Sequence, residues 1–240
     1  MLISPVPNKT GSRGNSEKGL IMTQISGQVE AHFHKTFKQF DSYYNQNKNF
    51  LSRLIDSRFR RSMQLRFQKI IDGVSPYSLK TVLDIGCGTG RYCFALASKG
   101  IERALGIDFA QNMILEAQRL ATEFQFSHIC QFIQGDFLTL PIEEPFHHVF
   151  AVGVLDYIDQ PVPFVKKMIE SSKESVMISF PSKGGFVQKC RKFLFQKIKK
   201  CPVFFYTQED INRIAREAGA THFTIEPLAQ DYFLTIKCHR

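Results

Sequence analysis

The chain has 240 residues, of which 43% are hydrophobic and 22% charged. This composition excludes a mostly disordered protein, and the length suits one α/β domain with a small accessory unit better than two independent domains. The formal net charge is +9, and the excess of lysine and arginine is confined to residues 1–80 and 181–201. Two separate basic segments indicate a localised surface that meets an anionic partner.

The sequence carries no sign of export, membrane insertion or metal binding. Its apolar runs fall short of the roughly 20 residues that span a bilayer, and the N-terminus lacks the apolar region of a signal peptide. The six cysteines form no Cys-x-x-Cys pair, which argues against a zinc site and favours a reducing compartment. We therefore expect a cytoplasmic protein without a bound metal.

The first 75 residues divide into two parts. Residues 1–27 are rich in Gly, Ser, Asn and Lys, a composition typical of a disordered leader. Between residues 28 and 75 aromatic side chains recur at helical spacing, first at Phe33, Phe37, Phe40 and Tyr44. This spacing predicts an N-terminal helical cap.

From residue 76 to residue 240 the pattern is that of the main domain. Short apolar runs alternate with helical periodicity, which is typical of a parallel α/β sheet. The runs predict strands over 81–85, 103–107, 129–133, 147–152 and 175–180, and helices over 90–99, 110–124, 161–172 and 207–219. Residues 221–226 and 231–237 predict two final strands joined by a short turn. His147 and His148 are expected at a strand edge or on the surface.

Residues 82–90, Val-Leu-Asp-Ile-Gly-Cys-Gly-Thr-Gly, carry the most informative motif. An apolar strand enters three glycines, and a helix follows at once. Glycine lets the backbone turn sharply and approach a ligand, and the free N–H groups of a helix start can bind polar atoms. A tight strand–helix turn without a ligand is the plainer alternative.

Two acidic residues follow later strands. Asp108 ends the second strand, where a carboxylate can accept both hydroxyls of a ribose, and Asp136 follows the third strand. The spacing Gly-x-Gly-x-x-Gly of dinucleotide-binding sites fails at 92–93, which argues against a nicotinamide or flavin enzyme.

With these motifs the chain resembles the class I S-adenosylmethionine-dependent methyltransferases. The resemblance covers about residues 40–237 and includes segments 82–90, 106–109, 135–137, 152–158 and 206–210. It implies a Rossmann-like seven-stranded sheet with an antiparallel last strand, helices on both faces and a helical cap over the acceptor site. It also implies S-adenosylmethionine as the cofactor. Within the family, the chain is loosely similar to ubiquinone-pathway and magnesium-protoporphyrin O-methyltransferases.

The resemblance assigns cofactor-binding roles by motif position. Asp84 would face the amino group of the cofactor, Asp108 would bind the ribose, and Asp136 would accept from the adenine amino group. The methionine end, the adenine surroundings and the remaining wall would be formed by Gly86, Cys87, Gly88, Gly90, Phe109, Met113, Phe137, Val152 and Gly153. Candidate catalytic bases are Asp156, Tyr157 and Tyr44, although Asp156 and Tyr157 could equally cap the next helix.

A basic insert, residues 183–201, follows the fifth predicted strand. Apolar residues at helical spacing alternate there with lysine and arginine. This pattern predicts an amphipathic helix whose residues 184–201 contact an anionic membrane surface or a lipophilic acceptor, or else a solvated helix packed on the domain. A peripheral location at the inner membrane surface would follow from the first interpretation.

The patterns together predict a monomeric or weakly dimeric enzyme. It would methylate a small or lipophilic acceptor, preferably at an oxygen. Two alternatives stay open: an RNA or protein methyltransferase that uses the basic segments, and a protein that binds S-adenosylmethionine without transferring its methyl group. Nucleic acid is the less favoured partner, because the sequence contains no recognisable RNA-binding module.

Overall fold

The computed structural model of the protein describes residues 50–183, 204–229 and 231–238, with side chains from residue 61 onward. The predicted leader 1–27, the aromatic face that ends at Tyr44, and residues 184–201 of the basic insert lie outside the described residues. The described helices are α1 (Phe50–Val74), α2 (Arg91–Ala97), α3 (Gln111–Glu123), α4 (Pro161–Glu170) and α5 (Gln208–Glu217). The strands are β1 (Thr81–Ile85), β2 (Arg103–Asp108), β3 (Cys130–Gln134), β4 (Phe146–Ala151), β5 (Ser172–Pro181), β6 (His222–Leu228) and β7 (Asp231–Lys237).

Within the described residues, these strands form one seven-stranded sheet with the order β3-β2-β1-β4-β5-β7-β6. Strands β1 to β5 pair in parallel, and β7 runs antiparallel to both β5 and β6. The predicted sheet with an antiparallel last strand is therefore confirmed. The strand order reverses between β1 and β4, and the crevice beyond the carboxyl ends at such a point is where open α/β sheets bind ligands.

The core has two layers, one on each face of the sheet. The helices α1, α2 and α3 cover one face with residues such as Ile70, Phe94 and Leu120. The helices α4 and α5 cover the other face with residues such as Val165 and Ile211. All five residues of β1 are buried, as is typical of a parallel strand covered on both faces.

The last turns of α1 belong to the same structural unit as the sheet. Ile70, Ile71 and Val74 are buried in the first core layer, and Arg66 forms an ion pair with Asp231 at the start of β7. Part of the segment expected to cap the acceptor site thus packs directly against the domain.

The expectation that His148 lies at an edge or on the surface is wrong. The side chain is buried because β4 lies between β1 and β5, and its Nδ1 is 2.8 Å from the hydroxyl of Ser175. Burial lowers the pKa of His148 to about 4, so the imidazole is neutral at physiological pH. His147 is half-buried at the same strand and contacts Thr81.

Candidate functional site

A cavity of about 620 Å³ lies beyond the carboxyl ends of the strands, close to the point where the strand order reverses. This volume is within the range of roughly 300–1,000 Å³ that is usual for small-molecule sites. Strands and loops from both halves of the sheet form its wall: Ile85, Gly86, Ile107, Asp108, Phe109, Gly135, Asp136, Phe137, Leu138, Gly153, Val154, Tyr157, Ile158, Asp159, Gln160 and Phe164. The cavity therefore combines an apolar lining with a few carboxylates.

Different structural constraints act on the three glycines after β1. All three have positive φ angles. A Cβ atom on Gly86 would lie 2.3 Å from a methyl of Val154, and one on Gly90 would lie 2.6 Å from the ring of Phe132. A Cβ atom on Gly88 would meet no atom of residues 50–183, 204–229 or 231–238 within 4 Å. Packing thus explains Gly86 and Gly90, whereas the space at Gly88 is open to a ligand.

Asp108 at the end of β2 is held on both sides by backbone amides. The N–H of Gly88 donates to Oδ2 at 2.8 Å, and the N–H of Ala110 donates to Oδ1 at 2.9 Å. An ionised carboxylate offers about four acceptor positions, so each oxygen can accept another hydrogen bond. The carboxylate is fixed in place and still has capacity for a pair of hydroxyl groups.

Asp84 is 1% exposed inside β1 and has an unusual protonation equilibrium. Burial raises the pKa of its carboxyl group to about 8, with a smaller rise from Asp108 and an opposing effect of the Cys93 thiol, whose sulfur lies 3.7 Å from Oδ2. At neutral pH the ligand-free carboxyl group is therefore largely protonated. A cation placed beside it would favour ionisation.

The loop after β3 is organised around Asp136 and Phe137. The N–H of Leu138 donates to Oδ1 of Asp136 at 2.8 Å, and the Phe137 ring packs edge-on against Phe164 with centroids 5.4 Å apart. Lys167 in α4 donates to the carbonyl oxygens of Leu138 and Leu140 at 3.0 and 2.6 Å. These contacts fix one wall of the cavity.

The sequence over residues 77–219, more than half of the chain, matches the model of a protein family described as a methyltransferase domain. The chain belongs to this methyltransferase family. With this match the resemblance to the S-adenosylmethionine-dependent class is confirmed, and two solved structures of the same fold hold S-adenosylmethionine or S-adenosylhomocysteine. S-adenosylmethionine is its cofactor.

Curated relatives include tRNA U34 carboxymethyltransferases. The enzyme of Shewanella pealeana is 25% identical over 114 residues, which cover 48% of this chain and 34% of the relative. The enzyme of Shewanella woodyi is 30% identical over 111 residues, which cover 45% of this chain and 32% of the relative. The chain thus matches about a third of the length of these relatives.

Solved structures show the same fold at low sequence identity. The magnesium protoporphyrin IX methyltransferase of Synechocystis PCC 6803, with S-adenosylhomocysteine bound, has a TM-score of 0.63 and 18% identity, covering 85% of this chain and 94% of that one. A methyltransferase of Haloferax volcanii in complex with the activator Trm112 has a TM-score of 0.61 and 14% identity, covering 78% and 93%. Identities this low establish the fold and leave the acceptor open.

The carboxylates next to the glycine turn suit the charge of S-adenosylmethionine. S-adenosylmethionine carries a sulfonium and an ammonium group, and carboxylates are the side chains that balance such cations. Asp84 and Asp108 lie on either side of the glycine turn, and no atom of the described residues fills the space at Gly88.

The methyltransferase brings together half of the cofactor residues expected from the sequence. Gly86, Asp108, Phe109, Asp136, Phe137 and Gly153 line the cavity. The other six expected residues also belong to the described residues but lie outside this lining: Asp84, Cys87, Gly88, Gly90, Met113 and Val152. Cys87 is buried in the first core layer beneath the turn, whereas Phe109 is 66% exposed at the rim.

The loop after β4 forms the opposite wall. Tyr157 lines the cavity and is 47% exposed, whereas Asp156 is buried. The alternative that they cap α4 is wrong, because the N-cap of that helix is Gln160. The hydroxyl of Tyr206 lies 3.2 Å from the carbonyl oxygen of Leu155 and 3.1 Å from that of Ile158, so its one proton can be donated to either and holds the loop in place.

Several lining residues were not expected from the sequence. Val154, Ile158 and Phe164 are apolar side chains, so nothing distinguishes them locally from core residues. Asp159 and Gln160 are polar residues directly before a helix that starts with proline, and this position only weakly indicates a binding site. No cluster of residues suited to a metal ion occurs in residues 50–183, 204–229 and 231–238, and no helix there is long and apolar enough to cross a membrane.

Proposed function

We propose that this methyltransferase transfers a methyl group from S-adenosylmethionine to a small or lipophilic acceptor, at an oxygen atom. The observation that carries the proposal is the cavity of about 620 Å³, in which Val154, Ile158 and Phe164 supply an apolar wall. A cavity of this size holds a small molecule and excludes water around it. A structural neighbour that acts on magnesium protoporphyrin IX has the same fold.

In the proposed binding mode, the carboxylate of Asp108 accepts hydrogen bonds from the two ribose hydroxyls. Its position, fixed by the amides of Gly88 and Ala110, supports this role. Asp136 would accept from the adenine amino group with Phe109 and Phe137 near the ring, and Asp84 would lie towards the cofactor's ammonium group. The open space at Gly88 would receive the methionine end.

The cofactor supplies an electrophilic methyl group, so the chain's own contribution is to position the acceptor and keep the site dry. Val154 and Phe164 would exclude water, and the loop tied down by Tyr206 would fix the acceptor side. An oxygen acceptor that must lose a proton needs a base. Tyr157, at the rim of the cavity, and the neighbouring Asp156 stay candidates for that role, as does Tyr44 outside the described residues.

RNA is the second candidate acceptor. Curated relatives include tRNA U34 carboxymethyltransferases, and the net charge of +9 suits a polyanionic partner. A small-molecule acceptor is preferred because the cavity is lined mainly by apolar side chains, whereas RNA recognition uses basic and stacking residues on open surfaces.

Transfer of a labelled methyl group distinguishes a small-molecule acceptor from an RNA acceptor. The protein is incubated with S-adenosylmethionine labelled on the methyl carbon, together with either the organic-soluble fraction of a bacterial extract or total tRNA. Label in the organic-soluble fraction supports the proposal. Label in tRNA, with activity that falls steeply between 50 and 200 mM salt, would replace it with the RNA alternative.

We also propose that residues 184–201 of the basic insert bring the enzyme to an anionic membrane surface. The support is its charge and spacing in the sequence. Retention on vesicles with and without an anionic lipid tests it, with Lys197, Lys199 and Lys200 changed to Glu. Equal retention of the wild type and the triple variant on anionic vesicles would contradict this role.

A further inference from the structure

The two strands at the edges of the sheet, β3 and β6, differ in how they are protected. Within the described residues each of them pairs with one neighbouring strand only. Natural edge strands avoid pairing with other chains by means of proline or charged side chains. Strand β6 has both, because Pro227 lacks an N–H group and Glu226 forms an ion pair with Lys69 at 2.6 Å. Strand β3, with the sequence Cys-Gln-Phe-Ile-Gln, has neither.

The backbone of β3 presents hydrogen-bonding groups along this edge. The carbonyl oxygen of Ile129 accepts from β2 at 2.9 Å, and the N–H of Gly135 donates to β2 at 3.0 Å. Backbone groups alternate in direction along a strand, so the N–H and carbonyl groups of Phe132 and Gln134 point away from β2. The carbonyl oxygen of Phe132 accepts from the side-chain amide of Gln118 at 3.2 Å and keeps a second acceptor position. The edge can therefore pair with a further strand.

Exposed apolar side chains flank the β3 edge on both faces of the sheet. Ile133 is 44% exposed, although its register partner Ile107 in β2 is buried in the second core layer. Leu115 of α3, on the opposite face, is 58% exposed. Leu115 lies three residues before Gln118 and so on the same side of the helix, and Gln118 reaches the edge of β3. An added strand would cover apolar surface on both faces.

The charges around this edge allow a second copy of the chain to approach. The net charge of +9 makes two copies repel each other, so a contact between them needs a locally neutral surface. Strand β3 contains no charged residue. On the neighbouring α3, Arg119 is paired with Glu116 at 2.8 Å and with Glu123 at 2.7 Å. The β3 edge thus lacks the positive charge that would keep two copies apart.

We propose that two copies of this chain pair through their β3 edges as antiparallel strands, which joins the two sheets into one. The register places Ile133 opposite Ile133 of the second copy, because apolar side chains on one face set the register and stabilise the pair. In this register Phe132 of each copy exchanges backbone hydrogen bonds with Gln134 of the other. Since β3 has five residues, the contact is small and the dimer dissociates reversibly.

Sedimentation velocity of the full chain tests the contact. Between about 1 and about 200 µM, the wild type should shift from monomer towards dimer, as expected for a small interface. Ile133→Lys places two like charges opposite each other at the two-fold axis and should weaken self-association at least about tenfold. Thr224→Lys is the matched control, because it adds the same charge at an exposed position of the other edge strand, β6. This control should sediment as the wild type does.

Cross-linking with oxidised glutathione tests the register. Residues opposite each other without mutual hydrogen bonds have Cα atoms about 4.5 Å apart, which a disulfide can bridge. Ile133→Cys should therefore give a covalent dimer on a non-reducing gel. Gln131→Cys is the matched control, because Gln131 is exposed in the same strand but would lie about 13 Å from its counterpart along the strand direction. The wild type, which has six cysteines of its own, gives the background.

Three results would overturn the proposal: a wild type that stays monomeric over the whole concentration range, a dimer that Ile133→Lys leaves intact, and a covalent dimer formed by Gln131→Cys in place of Ile133→Cys. If circular dichroism shows that Ile133→Lys does not fold, the cysteine pair decides between the outcomes. These experiments contain neither cofactor nor acceptor, so their result is independent of the proposed function.

Discussion

The backbone N–H of Gly88 donates to the carboxylate of Asp108 across 2.8 Å, and this bond joins the glycine turn after β1 to the end of β2. The other oxygen of Asp108 accepts from Ala110 at the start of α3. One side chain therefore connects three elements at the carboxyl edge of the sheet. A change at Asp108 should therefore affect both the stability of the fold and the proposed binding of the ribose.

Replacing Asp108 by Ala should lower both stability and affinity for the cofactor. Two backbone amides lose a charged acceptor, which should cost about 1–3 kcal/mol of unfolding free energy, and the proposed ribose contact disappears. At about 100 times its dissociation constant, a ligand stabilises the wild type by about 2.7 kcal/mol. Denaturation with and without S-adenosylhomocysteine should show this gain in the wild type and lose it in Asp108→Ala.

The matched control for Asp108 is Asp72→Ala. Asp72 is an exposed aspartate of α1 that accepts a hydrogen bond from Gln68. The control should keep the full stabilisation by ligand. Equal stabilisation of Asp108→Ala and the wild type would contradict the ribose role of Asp108.

Alanine at Gly88 and at Gly90 should separate binding from folding. Both residues have positive φ, so each substitution costs about 1 kcal/mol of backbone strain. At Gly90 the new methyl would also lie 2.6 Å from Phe132 and 2.9 Å from Phe94, adding about 1–3 kcal/mol of overpacking. At Gly88 it enters open space, where we expect it to obstruct the cofactor.

The measurement is a pair of unfolding curves and a pair of affinities for S-adenosylhomocysteine. Gly88→Ala should lose only the roughly 1 kcal/mol of backbone strain, and Gly90→Ala should lose more stability because of the added overpacking. Gly88→Ala should nevertheless lose more affinity for S-adenosylhomocysteine than Gly90→Ala does. If Gly88→Ala binds as tightly as the wild type, the methionine end does not lie over this turn.

The sequence allowed the sheet, the glycine turn and Asp108 to be predicted because their signals are local. A strand, three glycines and a helix follow one another in 82–97, and Asp108 directly ends its strand. The pairing of Arg66 with Asp231 could not be predicted, because 165 positions separate them and either residue alone suits an exposed surface. The burial of His148 was missed for a related reason: neighbouring strands, not its own residues, cover it.

The Asp84 carboxyl group should make stability fall as pH rises. Its pKa is about 8 in the folded chain against 3.8 as the ordinary value, so between these values the folded state binds more protons than the unfolded state. Below about pH 4 the group does not affect the free energy of unfolding through titration. As the pH rises from about 4 to about 8, the free energy of unfolding falls because of this group. Asp84→Asn keeps an acceptor for the Cys93 thiol and removes the titration.

Denaturant titrations at pH 5 and pH 8 check this. The free energy of unfolding of Asp84→Asn, taken relative to that of the wild type, should be higher at pH 8 than at pH 5. Saturating S-adenosylmethionine should reduce the difference, because its ammonium group would favour the ionised Asp84. A relative stability that does not change with pH would mean that Asp84 does not titrate in this range.

Lys167 should support cofactor binding without touching the cofactor. Its ammonium group donates to the carbonyl oxygens of Leu138 and Leu140 and lies 5.1 Å from the centre of the Phe137 ring. Lys167→Met keeps the aliphatic stem but frees the loop that carries Asp136 and Phe137. We expect affinity for S-adenosylhomocysteine to fall about three- to tenfold, because ordering that loop would then occur on binding.

The neighbouring Lys166 is exposed, so Lys166→Met is the matched control and should bind as the wild type does. Calorimetry with 5′-methylthioadenosine, which keeps the adenosine and lacks the amino-acid part, locates the effect. The loss in Lys167→Met should be the same for this ligand as for S-adenosylhomocysteine, because the loop meets the adenine end in the proposed binding mode. A loss seen only with S-adenosylhomocysteine would place the loop at the methionine end and reverse the proposed orientation of the cofactor.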